Sequence, residues 1–241
     1  MTSARASRSA GNDLELYERH AESWWDARSP AFRSLHAVNE HRLRVLRGWL
    51  GERFQGRVVA DFGCGGGLLA RPLSEAGARV VGLDLSAASL AQAREHVAGA
   101  FVRADAQRAP LAAASVDVVL LADVLEHVPD CGAVLREAAR VLRPGGAAFV
   151  NTLNRTWRAR LLAVQLAEGV RLIPPGTHAA ELFIRPDELA QRAWSNGLSL
   201  EALQGESINL LRTLRTWAVS LRPSADVSVG YSALLRKVVE S

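Results

Sequence analysis

Val59-Ala60-Asp61-Phe62-Gly63-Cys64-Gly65-Gly66-Gly67 decides how this chain is read. A β-branched run, Arg57 to Phe62, breaks into glycines and passes directly into helical texture over Leu68 to Ala76. Glycine lets a backbone turn sharply and come close to a ligand that side chains would exclude. Between a strand and a helix such a loop has a ligand-binding context. In an open α/β sheet, ligands sit beyond the carboxyl ends of the strands. Asp84 ends the next apolar run, 21 positions after Gly63, where a carboxylate can accept both hydroxyls of a ribose.

Outward from that loop the texture alternates. Strands are predicted at Arg79–Asp84, Ala100–Ala104, Val116–Ala122 and Ala147–Thr152, the last after a Pro144-Gly-Gly146 turn. Helices are predicted from the Ser86 cap to about Val97 and over Gly132–Leu142. Strands alternating with helices imply a parallel sheet covered on both faces, and near-continuous apolar strands agree. Upstream, Asp13–Trp25 and Ser34–Phe54 read as helices, the second from Leu35, Val38, Leu43, Leu46, Trp49 and Leu50 at helical spacing. Downstream, Trp157–Ile173 and Arg185–Trp194 read as helices. Leu198–Gln204 and Val227–Val238 read as two final antiparallel strands at the sheet edge. Residues 1–12 read as a disordered start and 13–55 as helices covering the site. Residues 56–241 read as the catalytic domain, with a lid or interfacial insertion at about 155–185.

Composition removes several classes. Of the 241 residues 49% are hydrophobic and 22% charged, which excludes wholesale disorder and fibrous repeats. Two cysteines, Cys64 and Cys131, cannot build a disulfide framework, so a reducing, cytoplasmic home is the default. No run of 18 apolar residues spans a bilayer. The net charge is +4 and Lys237 is the only lysine, which removes Schiff-base chemistry almost entirely. The mild arginine excess favours an anionic partner. No basic stripe carries interleaved aromatics, which argues against nucleic acid.

Two cofactor classes fit a glycine loop followed by Asp84. A dinucleotide fingerprint needs Gly or Ala at its sixth place, where this chain has Leu68. The spacing is instead Gly63, Gly65, Gly67 preceded by Asp61, and an acid there suits a cation and repels a pyrophosphate. This pattern resembles the first motif of class I S-adenosylmethionine-dependent methyltransferases, which implies a Rossmann-like, doubly wound, mostly parallel sheet with an antiparallel edge plus N-terminal helices. Asp105, after the third strand, resembles the acid that meets the adenine amino group. Ala106 beside it and Ala122 at the end of the fourth strand join the same cofactor surface.

Further segments occur in order: Trp24-Trp25-Asp26, Leu35-His36, Asn39 with Arg42-Leu43, Leu125-Glu-His-Val-Pro-Asp130, Thr152-Leu-Asn-Arg155, Pro175-Gly-Thr-His178 and Phe183-Ile-Arg-Pro186. Together they resemble the ubiquinone-biosynthesis O-methyltransferases, which act on polyprenyl-hydroxyphenols and demethylubiquinol. The resemblance runs from about Trp24 to Pro186 and more loosely to Val229, while Leu203 to Arg222 departs from the family pattern. It implies that Arg42 meets the donor's methionine end, where a guanidinium can pair with a carboxylate through two bonds. On spacing alone Arg42 is a solvated helix arginine beside Arg44 and Arg47.

Asp123, Glu126 and His127 stand at i, i+3 and i+4 after the fourth strand, on one face if a helical turn begins there. The resemblance implies a divalent cation such as magnesium (Mg2+) on these three, with Asp123 one methylene shorter than the family's glutamate. The other reading leaves Glu126 and His127 holding the loop. His127, with Glu126 beside it, is the candidate catalytic base for a phenol or catechol hydroxyl, and His178 ranks below it. The acceptor implied is a lipophilic phenol, with a secondary-metabolite phenol as competitor. Apolar residues beside Arg158, Arg160 and Arg171 suit either an interfacial helix on anionic lipid or a cap over the site. A non-catalytic cofactor-binding partner and an NAD-dependent oxidoreductase are the readings of other classes.

Overall fold

The computed structural model describes residues 14–162 and 180–239. The stretch expected to fray at the start, His178, and most of the 157–173 helix lie outside the described residues. Eight strands form one sheet in the order β3-β2-β1-β4-β5-β8-β6-β7. They are β1 (Val58–Phe62), β2 (Arg79–Asp84), β3 (Gly99–Arg103), β4 (Val116–Ala122), β5 (Leu142–Leu153), β6 (Leu198–Ile208), β7 (Leu221–Ser224) and β8 (Gly230–Lys237). Strands β1 to β5 are mutually parallel. Strand β8 runs antiparallel to both β5 and β6, and β7 antiparallel to β6. The sheet is therefore the doubly wound, mostly parallel one that the alternation implied.

Helices α1 (Leu14–His20), α2 (Arg33–Leu50), α3 (Ala70–Glu75), α4 (Ala87–His96), α5 (Cys131–Val141), α6 (Trp157–Ala159), α7 (Pro186–Trp194) and α8 (Leu210–Thr216) complete it. Successive strand residues point to opposite faces. Val59, Leu120 and Phe149 enter one core with Leu46, Phe54, Leu73 and Leu90. Their neighbours Ala60, Leu121 and Val150 enter the other, with Val134, Leu135, Ala138 and Leu189. That is why these strands read as unbroken apolar runs.

Three expectations change. The antiparallel edge has three strands rather than the two expected: β8 and β6 follow β5, and β7 lies outermost. Strand β7 contains Pro223, a residue an edge strand tolerates because one side of it needs no ladder donor. The Pro144-Gly-Gly146 turn is a bulge within β5. Val116 faces Leu142 and Val118 faces Ala147, so the intervening residues loop out, with Gly145 at φ +73°. The first helix stops at His20 and turns through a 3-10 segment, Ala21–Ser23, rather than running to Trp25. The turn delivers Trp24 into the protein, where it is buried.

Candidate active site

Chain order reverses between β1 and β4, which lie side by side. Such a switch point opens a crevice at the carboxyl ends of the strands. A cavity with about 140 Å³ of free space lies there. The backbone N–H groups of Gly63 and Cys64 both donate to the Leu83 carbonyl, at 2.7 and 3.0 Å. Gly65 N–H donates to Asp84 Oδ2 and Ser86 N–H to Asp84 Oδ1, each at 2.8 Å. Asp84 thus fixes the loop with one lone pair of each oxygen and keeps the others for a ligand. Burial raises its pKa, and the backbone donors at Ser86 and Gly65 pull it back.

Gly63 and Gly65 sit at φ +70° and +51°, in the left-handed region. A Cβ on Gly65 would lie 2.5 Å from the Trp24 ring. Trp24 closes over the loop, stacks on Phe32 at 4.0 Å and donates its indole N–H to Ser89 Oγ at 3.0 Å. Gly65→Ala combines backbone strain with displacement of this ring. It is expected to destabilise the fold by about 2 kcal/mol and lower Tm by about 4–8 °C. A thermal melt within a degree of wild type would contradict this packing.

Around the cavity the structure brings together Arg42, Asp61, Gly63, Gly65, Asp84, Asp105, Ala106, Ala122, Asp123 and His127. Asp105 also accepts from Gln107 N–H at 2.8 Å, which starts a short 3-10 turn. Two assigned residues stand elsewhere. Gly67 is not in the cavity wall; a Cβ there would meet Val97 Cγ2 at 2.8 Å, so this glycine serves helix packing. Glu126 lies beneath the wall, buried, accepting from Thr152 Oγ1 at 2.8 Å. Burial, helped by Asp123, raises its pKa to about 8.

The cation triad does not assemble. Asp123 adopts φ +53°, so no α-turn begins there, and Leu125–His127 form a 3-10 turn instead. Asp123 Oδ1 is bonded by Arg42 Nη2, while Glu126 faces Thr152. Among the described residues no three His, Cys, Asp or Glu side chains are placed to hold a metal ion. The donor set therefore does not fit magnesium.

Arg42 is buried, not solvated. Its Nε donates to Asn151 Oδ1 at 2.6 Å, Nη1 to Asn39 Oδ1 at 2.9 Å and Nη2 to Asp123. A guanidinium has five N–H donors, so two remain for a carboxylate. Behind it stands a buried network that spacing did not reveal. Asn151 Nδ2 donates to Glu206 Oε1 at 2.8 Å and Ser232 Oγ at 2.9 Å. Ser232 Oγ donates to the same Glu206 oxygen at 2.7 Å, and His41 Nε2 stands 3.3 Å from it. The sequence signal for it is Asn151, a polar residue directly after the apolar run Ala147–Val150.

Tyr17 and Ser89 were also missed as cavity residues. Burial and the nearby Asp123 and Asp84 carboxylates push the Tyr17 hydroxyl above the ordinary phenol range. Asp61 is buried and its pKa is raised to about 7, first by burial and then by Asp84, with Arg42 opposing. Four aspartates against one guanidinium make a cavity that favours a cation.

A methyltransferase-domain family model matches residues 60–150. A ubiquinone biosynthesis O-methyltransferase of Bordetella avium is 39% identical over 232 residues, covering 93% of each chain. Its namesake in Methylococcus capsulatus is 37% identical over 233 residues, covering 93% of this chain and 94% of that one. Among solved structures, a SAM-dependent methyltransferase of Thermotoga maritima superposes with TM-score 0.68 at 18% identity, over 93% of this chain and 99% of that one. Magnesium protoporphyrin IX methyltransferase of Synechocystis, solved with bound SAM, gives TM-score 0.62 at 16% identity over 98% and 100%. At such identities the solved structures speak for the fold alone.

Proposed function

The chain belongs to the ubiquinone biosynthesis O-methyltransferases, and on that premise we propose that it methylates a phenol or catechol hydroxyl on a lipophilic ring precursor of ubiquinone. The cofactor is S-adenosyl-L-methionine. The observation that carries the reading is the acid-lined cavity over the glycine loop, with Asp61 and Asp84 flanking the bend. Asp84 is assigned the ribose hydroxyls and Asp105 the adenine amino group. Asp61 faces the donor's cationic end, and Arg42 its carboxylate. When bound, S-adenosyl-L-methionine supplies a methyl group already activated by its sulfonium, so alignment matters more than bond activation.

The acceptor needs help of another kind. A phenol ionises near pH 10, as tyrosine does, so a base must take its proton as the oxygen attacks. His127, in the cavity wall on the Leu125–His127 turn, is assigned that proton. Glu126, beneath, is a positioning neighbour. No metal enters the scheme.

Mass spectrometry of a labelled-methyl assay against catechols and polyprenyl phenols tests the reading. Transfer of one methyl to a ring oxygen is the expected result. Donor binding with no transfer to any of them would reduce the protein to a cofactor-binding partner.

Asp61 gives the donor site a pH signature. A cationic ligand favours the carboxylate, and Asp61 holds its proton up to about pH 7 in the empty site. Binding below that pH releases a proton. Affinity for S-adenosylhomocysteine is expected to rise about tenfold per pH unit up to about 7, then flatten. Calorimetry in buffers of different ionisation enthalpy reads the proton directly. The raised Asp61 and Glu126, at about 7 and about 8, also make the empty protein less stable as pH climbs from the ordinary carboxylate range through 8. A pH-independent affinity would remove Asp61 from the donor site.

A further inference from the structure

We propose that Glu206, near the carboxyl end of β6 and outside the cavity wall, is a positioning residue for the donor's carboxylate. Through Asn151 it closes the Nε edge of Arg42 and reserves the two terminal nitrogens for the ligand. This rests on the assignment of that carboxylate to Arg42.

The sheet order brings Glu206 to Arg42. Asn151 on β5 faces Ser232 on β8, and Ser232 faces Gln204 on β6, two residues before Glu206. Residues two apart on a strand share a face, so Asn151, Ser232 and Glu206 lie together beneath His41 and Arg42 of α2. All five are buried. Glu206 Oε1 accepts from Asn151 Nδ2 at 2.8 Å and from Ser232 Oγ at 2.7 Å. Ser232 Oγ in turn accepts from Asn151 Nδ2 at 2.9 Å. A primary amide has two N–H donors and one carbonyl. With both donors engaged by Glu206 and Ser232, Asn151 Oδ1 is aimed at Arg42 Nε, 2.6 Å away.

That contact decides which edge of the guanidinium a ligand can use. A carboxylate pairs with arginine through two parallel bonds, either across Nε and one terminal nitrogen or across both terminal nitrogens. Asn151 occupies the first edge. Asn39 and Asp123 take one N–H each from Nη1 and Nη2, so each terminal nitrogen keeps one N–H. Arg42 lines the cavity, and its remaining donors form the fork that a carboxylate there would meet. Glu206 also supports the charge itself. Burial works against the Arg42 cation, but Asp123, Glu206 and Glu126 outweigh it and raise its pKa. As a strut alone Glu206 is a costly choice. Apolar side chains of similar size join strands without desolvating a carboxylate.

The test is calorimetry of the full chain with two ligands. One is S-adenosylhomocysteine; the other is its decarboxylated analogue, which keeps the nucleoside, sulfur and amine and lacks only the carboxylate. Wild type is expected to prefer the first by about tenfold or more. Glu206→Leu is expected to weaken S-adenosylhomocysteine about tenfold and to leave the analogue within about twofold. Glu206→Gln keeps a carbonyl oxygen for Asn151 and Ser232, and is expected to restore affinity to within about threefold of wild type. Ser232→Ala is a smaller change at the same junction. It is expected to weaken S-adenosylhomocysteine about threefold and spare the analogue, and it carries the test if the leucine variant fails to fold. A purely structural role predicts a different result, with both ligands weakened equally or neither, and that result overturns the relay. Wild type that prefers S-adenosylhomocysteine, with variants that keep the full preference, overturns the relay and leaves Arg42 assigned to the carboxylate. Wild type that binds the two ligands equally removes that assignment and the relay with it.

Discussion

His127→Ala is expected to lower kcat on a catechol by about 10²–10³-fold while leaving S-adenosylhomocysteine affinity within about twofold. The split follows from position. The side chain lines the cavity at the end of the 3-10 turn, whose backbone N–H bonds the Val124 carbonyl at 3.0 Å. It follows β4, which β1 separates from β2, the strand that ends in Asp84 and so holds the glycine loop. Loss of the imidazole removes a proton acceptor and leaves the donor's anchors intact. The pH profile carries a second readout. Without the base, turnover must wait for phenolate already present in solution, so kcat of the variant rises about tenfold per pH unit toward the phenol's own pKa. Asp61→Asn serves as the contrast, since it should weaken donor binding and spare turnover at saturation. Wild-type turnover in His127→Ala would remove the imidazole from the mechanism.

What the sequence disclosed follows from how local each feature is. The glycine bend, Asp84 and the Ser86 cap are legible because neighbours in the chain set their geometry; Ser86 Oγ accepts from Ser89 N–H at 3.1 Å, as an N-cap should. The central strands are legible because coverage on both faces forces unbroken apolar runs. Strand β7 was not, since an edge strand bearing proline and arginine carries neither period. The resemblance implies a cation on Asp123, Glu126 and His127, which share a face only if a helical turn begins there; Asp123 has a positive φ instead and bonds Arg42. Least legible was the network behind Arg42. Asn151 meets Glu206 and Ser232 across 55 and 81 residues of chain, and only the sheet order puts them side by side. The same order explains why spacing alone leaves Arg42 a solvated helix arginine, when its side chain in fact reaches Asn151 on β5.

Arg42→Ala should therefore do two separable things. It strips three hydrogen bonds, one of them an ion pair, leaving Asn39, Asn151 and Asp123 facing an empty space. Leaving the buried Asn151 amide oxygen and the partly exposed Asp123 without this partner costs about 2–3 kcal/mol, which places Tm about 4–12 °C lower. It also withdraws the positive charge that holds the Asp61 and Glu126 carboxyls down. Both then hold their protons to higher pH, and the onset of tight donor binding moves above its wild-type position near pH 7. Arg42→Lys parts the two effects. An ammonium keeps the charge, so the pH onset should stay close to wild type. A single nitrogen cannot span Asn39, Asn151 and Asp123 together, so most of the fall in Tm should remain. Melting curves and the pH dependence of S-adenosylhomocysteine binding, taken on both variants, read the two effects separately. An alanine variant that melts with wild type and keeps its pH onset would show Arg42 to be neither the clamp between α2 and β5 nor the charge that sets the cavity's acidity.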